Sequence, residues 1–269
     1  MALHDLGGDG PPAVLVHATG FHGRVFGPLA AGLGGRLHCV APDLRGQGSS
    51  GVPENLDFNW LGFATDVLTT VDALELVAPV GFGHSCGGAA LLLAEQARPG
   101  TFSSLYCFEP VVIPYEHPHS PDPSEPLARG ARQRREIFAS REEAYANYAS
   151  KPPLDVLDPE ALAAYVEFGF EDLPDGTVRL RCRGENEALI YENGSRHPAF
   201  SGLSIIECPV VIACGAESYS FVPAALALLV ERLSNGRLEV LPRLGHFGPL
   251  EHPGVVAESV IRALDIAPA

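Results

Sequence analysis

The stretch of this 269-residue chain best suited to chemistry is Gly83-His84-Ser85-Cys86-Gly87. A serine with glycine two residues away on both sides, G-x-S-x-G, can occupy a bend too sharp for a Cβ at either flank, which lifts its hydroxyl clear of the backbone. The apolar run before Gly83 reads as a strand covered on both faces, and the small-residue and leucine run after Gly87 as a packed helix. The serine therefore stands at a strand-to-helix bend, with the positive end of the helix aimed at it. A dinucleotide-binding turn does not fit: Gly81, Gly83 and Gly87 miss the G-x-G-x-x-G spacing and leave Ser85 without a reason.

A serine hydroxyl is a poor nucleophile at neutral pH unless a base takes its proton, and that base should be a histidine held by a carboxylate at the same sheet edge. Of the ten histidines, His246 in Leu244-Gly245-His246-Phe247 is best placed, just past the last strand. It follows both candidate acids, so the order is Ser, then Glu, then His. His84 reads as a packed neighbour of the serine, and His252 as the start of the next helix. His117 and His119, flanked by prolines, read as a solvated loop rather than metal ligands, so neither metal nor cofactor is expected. Two glutamates are placed to be the acid: Glu109, ending the strand after the serine's helix, and Glu217, in the loop after a later strand. Two backbone N–H groups should receive a developing oxyanion, from Cys86 and from Thr19 in the turn His17-Ala18-Thr19-Gly20-Phe21.

Positioning these groups requires a particular order of elements. Strands are expected at 13–17, 37–41, 77–82 and 104–109, with helices near 25–33 and 60–74 and room for one short strand before Pro11. This alternation means a mostly parallel sheet wound on both faces. Between Pro110 and about Gly202 no buried strand is visible; helix-like stretches at 127–150 and 159–170 and a turn at Pro174-Asp175-Gly176 predict a mainly helical insertion lying over the sheet. Strand and helix then alternate again through 209–214, 223–233, 237–241 and 255–264. The expected organisation is a core of residues 1–111 and 203–269 with a cap of residues 112–202.

Composition narrows the function classes. A formal net charge of -15 opposes binding to nucleic acid or to anionic membrane. The six cysteines include no C-x-x-C pair and read as reduced, mostly buried thiols, which with the absence of a visible signal peptide or spanning apolar run predicts a cytoplasmic protein. Oligomeric state is not legible.

Taken together, VLVHATGF, APDLRGQGSS, GFGHSCGGAA, CPVVIACGAE and LPRLGHFGPLEHP resemble the α/β-hydrolase superfamily, in its order and over nearly the whole chain. The resemblance implies Ser85 as nucleophile, His246 as base, Thr19 and Cys86 as oxyanion donors, and a structural turn at Asp43, Arg45 and Gly46. It departs from the commonest pattern at the acid, since Ser218 stands where an aspartate is usual after the later strand. Tyr106-Cys107-Phe108-Glu109-Pro110 is instead similar to a branch of the haloalkane dehalogenases whose acid is a glutamate at the end of that strand, which favours Glu109 over Glu217.

A serine at position 85 sets the chain apart from the dehalogenases and epoxide hydrolases of this fold, which use aspartate there. The resemblance implies acyl transfer: a serine hydrolase acting through an acyl-enzyme on a small to medium, largely apolar carboxylic ester or lactone. Carbon–carbon bond hydrolases and cofactor-free perhydrolases on the same triad, and non-catalytic ligand-binding members of the fold, are the alternatives. Hydroxynitrile lyases share the G-x-S-C-G-G pattern but use a lysine near the histidine, whereas the only lysine here is Lys151 in the cap. The substrate pocket is expected between sheet edge and cap, lined by Phe21, Phe26, Val111, Phe247 and the cap tyrosines Tyr145, Tyr148 and Tyr165. The cap arginines Arg129, Arg132, Arg134 and Arg135 read as a solvated helix face, with recognition of a substrate carboxylate as the alternative.

Overall fold

The computed structural model describes residues 1–114, 125–194 and 196–266, so His117 and His119 lie outside the described residues. In chain order, β1 (Leu3–Gly7), β2 (Pro12–Val16), α1 (Gly27–Gly32), β3 (His38–Pro42), α2 (Trp60–Ala73), β4 (Val80–His84), α3 (Cys86–Ala97) and β5 (Ser104–Phe108) alternate as the apolar runs dictate. An inserted segment follows, with α4 (Pro126–Arg132), β6 (Ile137–Phe138), α5 (Arg141–Ala149), α6 (Pro159–Gly169), β7 (Phe170–Asp172), β8 (Val178–Leu180) and α7 (Gly184–Glu192). The alternation then resumes through β9 (Val210–Gly215), α8 (Pro223–Arg232), β10 (Gly236–Leu241), α9 (Gly248–Glu251) and α10 (Pro253–Ala263).

Seven strands form one sheet in the order β1-β3-β2-β4-β5-β9-β10. Every neighbouring pair is parallel except β1 with β3. The central strands are buried along nearly their whole length, which is why they read as continuous apolar runs rather than alternating ones. Two apolar clusters cover the two faces of the sheet. One includes Phe26, Phe82, Tyr106 and Phe108; the other includes Val14, Val16, Leu91, Cys107 and Ile212. Helix α3 is buried from Cys86 through Glu95, so it is held by packing on all sides rather than by an amphipathic stripe.

The inserted segment differs from the expected mainly helical one. It also carries a three-stranded antiparallel sheet, β6-β8-β7. The Pro174-Asp175-Gly176 turn closes the β7–β8 hairpin, with Leu173 N–H donating to Thr177 O at 2.8 Å. These strands are two or three residues long, too short for a period of two to show against neighbouring helices. The helix-like run at 127–150 is correspondingly broken in two by β6. The strand leading to Ser85 begins at Val80 rather than Val77, because Val77 is exposed and Ala78 adopts a left-handed backbone (φ 44°). All six cysteines are free thiols. Among the described residues no helix is long and apolar enough to cross a membrane.

Candidate active site

Ser85 lies between β4 and α3 with φ 54° and ψ -114°, a strained conformation for a residue with a side chain. The glycines around it are required sterically: a Cβ at Gly87 would sit 2.0 Å from Val16 O, and one at Gly83 would sit 2.6 Å from the Gly88 backbone. The bend is tied down on both sides. Ser85 N–H donates to Phe108 O (2.9 Å), while Ser85 O accepts from Val111 N–H (3.2 Å) and Ala89 N–H (3.2 Å). Register places Gly83 between Val16 of β2 and Cys107 of β5, so the serine emerges at the carboxyl edge in the middle of the sheet.

Glu109 follows β5 immediately and is completely buried. Its carboxylate accepts three hydrogen bonds. Oε2 takes one from His246 Nδ1 at 2.7 Å and one from the Ser218 hydroxyl at 2.9 Å, and Oε1 takes the Gly215 N–H at 3.0 Å. A left-handed backbone at Glu109 (φ 44°) and a bond from its N–H to Ala213 O (2.8 Å) turn the side chain toward β9. Glu217 is exposed, and its recorded bond is from its backbone N–H to Leu244 O at 2.9 Å. Of the two candidate acids, only Glu109 is joined to His246 among the described residues.

Two devices fasten the histidine loop. Glu251 accepts the N–H groups on both sides of His246, from Gly245 at 2.9 Å and from Phe247 at 3.0 Å. His84, the residue before Ser85, donates from Nε2 to His246 O at 2.8 Å, and its ring lies 5.0 Å from the His246 ring. Burial, and then the neighbouring His246, push the His84 pKa well below the ordinary histidine value, so His84 is neutral. Because a carbonyl can only accept, the proton sits on Nε2 of His84. Phe221 stacks on the His246 ring at 5.6 Å, 25° from parallel.

The Thr19 side chain neighbours the Cys86 thiol. Burial pushes the Cys86 thiol up to about 12, with the Thr19 side chain opposing the shift, so it remains protonated. As the first residue of α3, Cys86 has a backbone N–H with no acceptor within the helix.

The expected pocket residues divide. Phe21 lies 5.2 Å from the Tyr165 ring and 5.8 Å from Phe247, and Tyr148 meets Tyr165 edge-on at 5.4 Å. Val111 N–H bonds to Ser85 O, which puts Val111 beside the serine. Phe26 is not in this group: the turn before α1 drives it onto Phe82 of β4 (5.4 Å), where it is fully buried core. Tyr145 packs partly buried against the same core cluster.

The arginines divide too. Arg129 is exposed, Arg132 pairs with Glu185 and Glu192, and Arg135 pairs with Glu143, as a solvated face requires. Arg134 is the exception. It turns inward to Glu187 (2.5 Å) and the Tyr165 hydroxyl (2.6 Å). Lys151 is exposed and bonded to Asn147, on a surface turn. Asp43, Arg45 and Gly46 form a structural turn: Asp43 accepts from Gly23 N–H (2.8 Å) and Ser49 N–H (2.7 Å), and Arg45 forks onto Asp66. Sequence reasoning did not find Ser218, Gly215 or Glu251 as supporting groups. Their only signal was Ser218 occupying the usual place of the acid.

Comparison with known proteins bears on the fold and the family. The model of the alpha/beta hydrolase family matches residues 13–259. A curated relative, 2-(acetamidomethylene)succinate hydrolase of Mesorhizobium japonicum, is 24% identical over 259 residues, covering 96% of this chain and 89% of that protein. The crystal structure of E-2-(acetamidomethylene)succinate hydrolase superposes with a TM-score of 0.82 at 22% identity, over 98% of this chain and 94% of that one. The peroxisomal alpha-beta-hydrolase Lpx1 of Saccharomyces cerevisiae superposes with a TM-score of 0.80 at 22% identity, over 97% of this chain and 79% of that one. With the family model spanning β3 through β10 and the serine, glutamate and histidine loops, the chain belongs to the alpha/beta hydrolase family.

Proposed function

We propose that the protein is a serine hydrolase that cleaves a small to medium, largely apolar carboxylic ester or lactone through an acyl-enzyme. The observation that carries this reading is the 2.7 Å hydrogen bond between His246 Nδ1 and the fully buried Glu109, on a loop fastened to the residue next to Ser85. With Nδ1–H held by Glu109, the other ring nitrogen of His246 is a free base. It takes the Ser85 hydroxyl proton as Oγ attacks the acyl carbon, and the imidazolium so formed is paired with the Glu109 carboxylate. The oxyanion is received by the N–H groups of Cys86 and Thr19. His246 then gives its proton to the leaving alcohol, and water attacks the acyl-enzyme by the same route in reverse.

The substrate class follows from charge and shape. Phe21, Phe247 and Val111 supply apolar wall, and the insertion acts as a cap that brings Tyr148 and Tyr165 over it. The relative named above acts on a succinate, which carries carboxylates. In this chain the inward arginine, Arg134, already has Glu187 as its counterion, so a second carboxylate would meet Glu187 as well as Arg134. A neutral acyl group is therefore preferred. The test is stopped-flow hydrolysis of p-nitrophenyl butyrate beside p-nitrophenyl hydrogen succinate. The butyrate ester should give a burst of one p-nitrophenol per active site and the higher kcat/KM, and Ser85→Ala should show neither. Absence of a burst with slow, Ser85-independent turnover would overturn the reading; a preference for the succinate ester would overturn its substrate class.

A further inference from the structure

Gln47 is unexplained by the turn that contains it. It is completely buried, and its Oε1 accepts the Gly20 N–H at 2.7 Å. Its Nε2 is also buried and has no hydrogen-bond partner among the described residues. The orientation of the amide is set by that one bond, because a backbone N–H requires an oxygen opposite it. Leaving a buried amide nitrogen unpaired is destabilising, and an apolar side chain of similar volume would pack there with no such penalty. What the glutamine alone supplies is its grip on Gly20.

Gly20 is the residue after Thr19 and has φ 84°, a left-handed conformation that favours glycine. Its other side is pressed by the cap: a Cβ there would sit 2.8 Å from Glu187 Oε1. The turn is thus held between Gln47 inside and Glu187 outside, with Arg134 securing Glu187 at 2.5 Å. Since the peptide unit is planar, holding the Gly20 N–H on Gln47 also fixes the plane shared by Thr19 Cα and carbonyl. That in turn limits the directions open to the Thr19 N–H.

We propose that Gln47 is a positioning residue for the oxyanion hole: its Oε1 fixes the Thr19–Gly20 peptide so that the Thr19 N–H faces the acyl oxygen. This rests on the serine-hydrolase reading above. The role belongs to the oxygen of the amide, with the unpaired nitrogen as its cost in stability.

The experiment compares Gln47→Leu, which removes the acceptor, with Gln47→Glu, which keeps it. Kinetics on p-nitrophenyl butyrate are measured together with inhibition by a trifluoromethyl ketone, which adds Ser85 Oγ to its carbonyl and so carries the oxyanion, and by butyrate, which does not. Gln47→Leu should lower kcat by about 10–100-fold, up to the cost of a misplaced oxyanion donor and less than that of losing the donor outright, with KM changed less than about threefold. Trifluoromethyl ketone affinity should fall by a similar factor and butyrate affinity should hold. Gln47→Glu should recover most of the lost kcat. A merely structural glutamine would show its loss in Tm and KM, with both inhibitors weakened alike. If Gln47→Leu does not fold, Gln47→Met, closer in length, carries the same comparison. The proposal is overturned by a Gln47→Leu or Gln47→Met enzyme with kcat within twofold of wild type, or by a Gln47→Glu enzyme that loses as much as Gln47→Leu. A wild-type enzyme that forms no acyl-enzyme fails at the serine-hydrolase reading instead.

Discussion

At the scale of single residues, the site turns on which carboxylate holds His246. Glu109 has three donors on a fully buried carboxylate, whereas Glu217 is in water. Glu109→Gln keeps the shape but no longer accepts at both oxygens with a full charge, which disfavours the imidazolium. It should lower kcat by about 10²–10⁴-fold, as loss of a triad acid does elsewhere. Glu217→Gln should leave kcat within about twofold, because an exposed loop glutamate gains little from its charge. Steady-state kinetics on one ester separates the two, and a collapsed Glu217→Gln rate beside a near-normal Glu109→Gln rate would reverse the assignment. This pair also marks how far sequence reached. Spacing around strand ends placed Ser85, His246, Thr19 and Cys86 as candidates. Spacing alone left Glu109 and Glu217 open, because both follow a strand; what separates them is a left-handed φ at Glu109 and a bond to β9. Ser218 was visible as a missing acid but not as a donor to Glu109, since that role depends on a carboxylate 109 positions away.

At the scale of elements, the bend between β4 and α3 has no room for an added methyl at its glycines. Gly87→Ala would place a methyl 2.0 Å from Val16 O, which belongs to a central strand and cannot withdraw. The variant should lose on the order of 3 kcal/mol or more of stability, at or beyond the upper end of ordinary overpacking, and chemical denaturation measures it directly. A Gly87→Ala protein of wild-type stability would mean the bend is more adaptable than its geometry implies. The parallel strands were legible because burial on both faces writes long apolar runs. The short strands of the insertion were not, since two or three residues stabilised by pairing leave no such record. Phe26 was misplaced for a related reason: an aromatic just past the oxyanion turn fits a pocket or a core equally well until the turn before α1 sets its direction.

At the scale of the whole molecule, buried histidines make stability depend on pH. His22 and His197 are both pushed down to about 4, chiefly by burial, from an ordinary value of 6.5. The unfolded chain therefore binds protons that the folded protein excludes between about pH 6.5 and pH 4. The stabilisation from keeping these rings neutral is fully present above pH 6.5 and is lost as pH falls through that window. Each contributes roughly 2 kcal/mol of loss by pH 5, so Tm should be at least about 5 °C lower at pH 5 than at pH 7.5. His197→Gln, which keeps a donor for Val111 O, should flatten the dependence, and a Tm that is level across the window would contradict the assignment. The overall acidity, by contrast, bears on solubility and encounter rather than on this local balance.

The central claim is that the elbow hydroxyl is an activated nucleophile, and covalent capture tests it most directly. The protein is treated with a fluorophosphonate, digested and mapped by mass spectrometry, in wild type, Ser85→Ala and His246→Ala. The account predicts a single adduct on Ser85 in wild type, none in Ser85→Ala, and labelling slowed by about 10³-fold or more in His246→Ala. An unlabelled wild-type Ser85, or a label rate indifferent to His246, would contradict it.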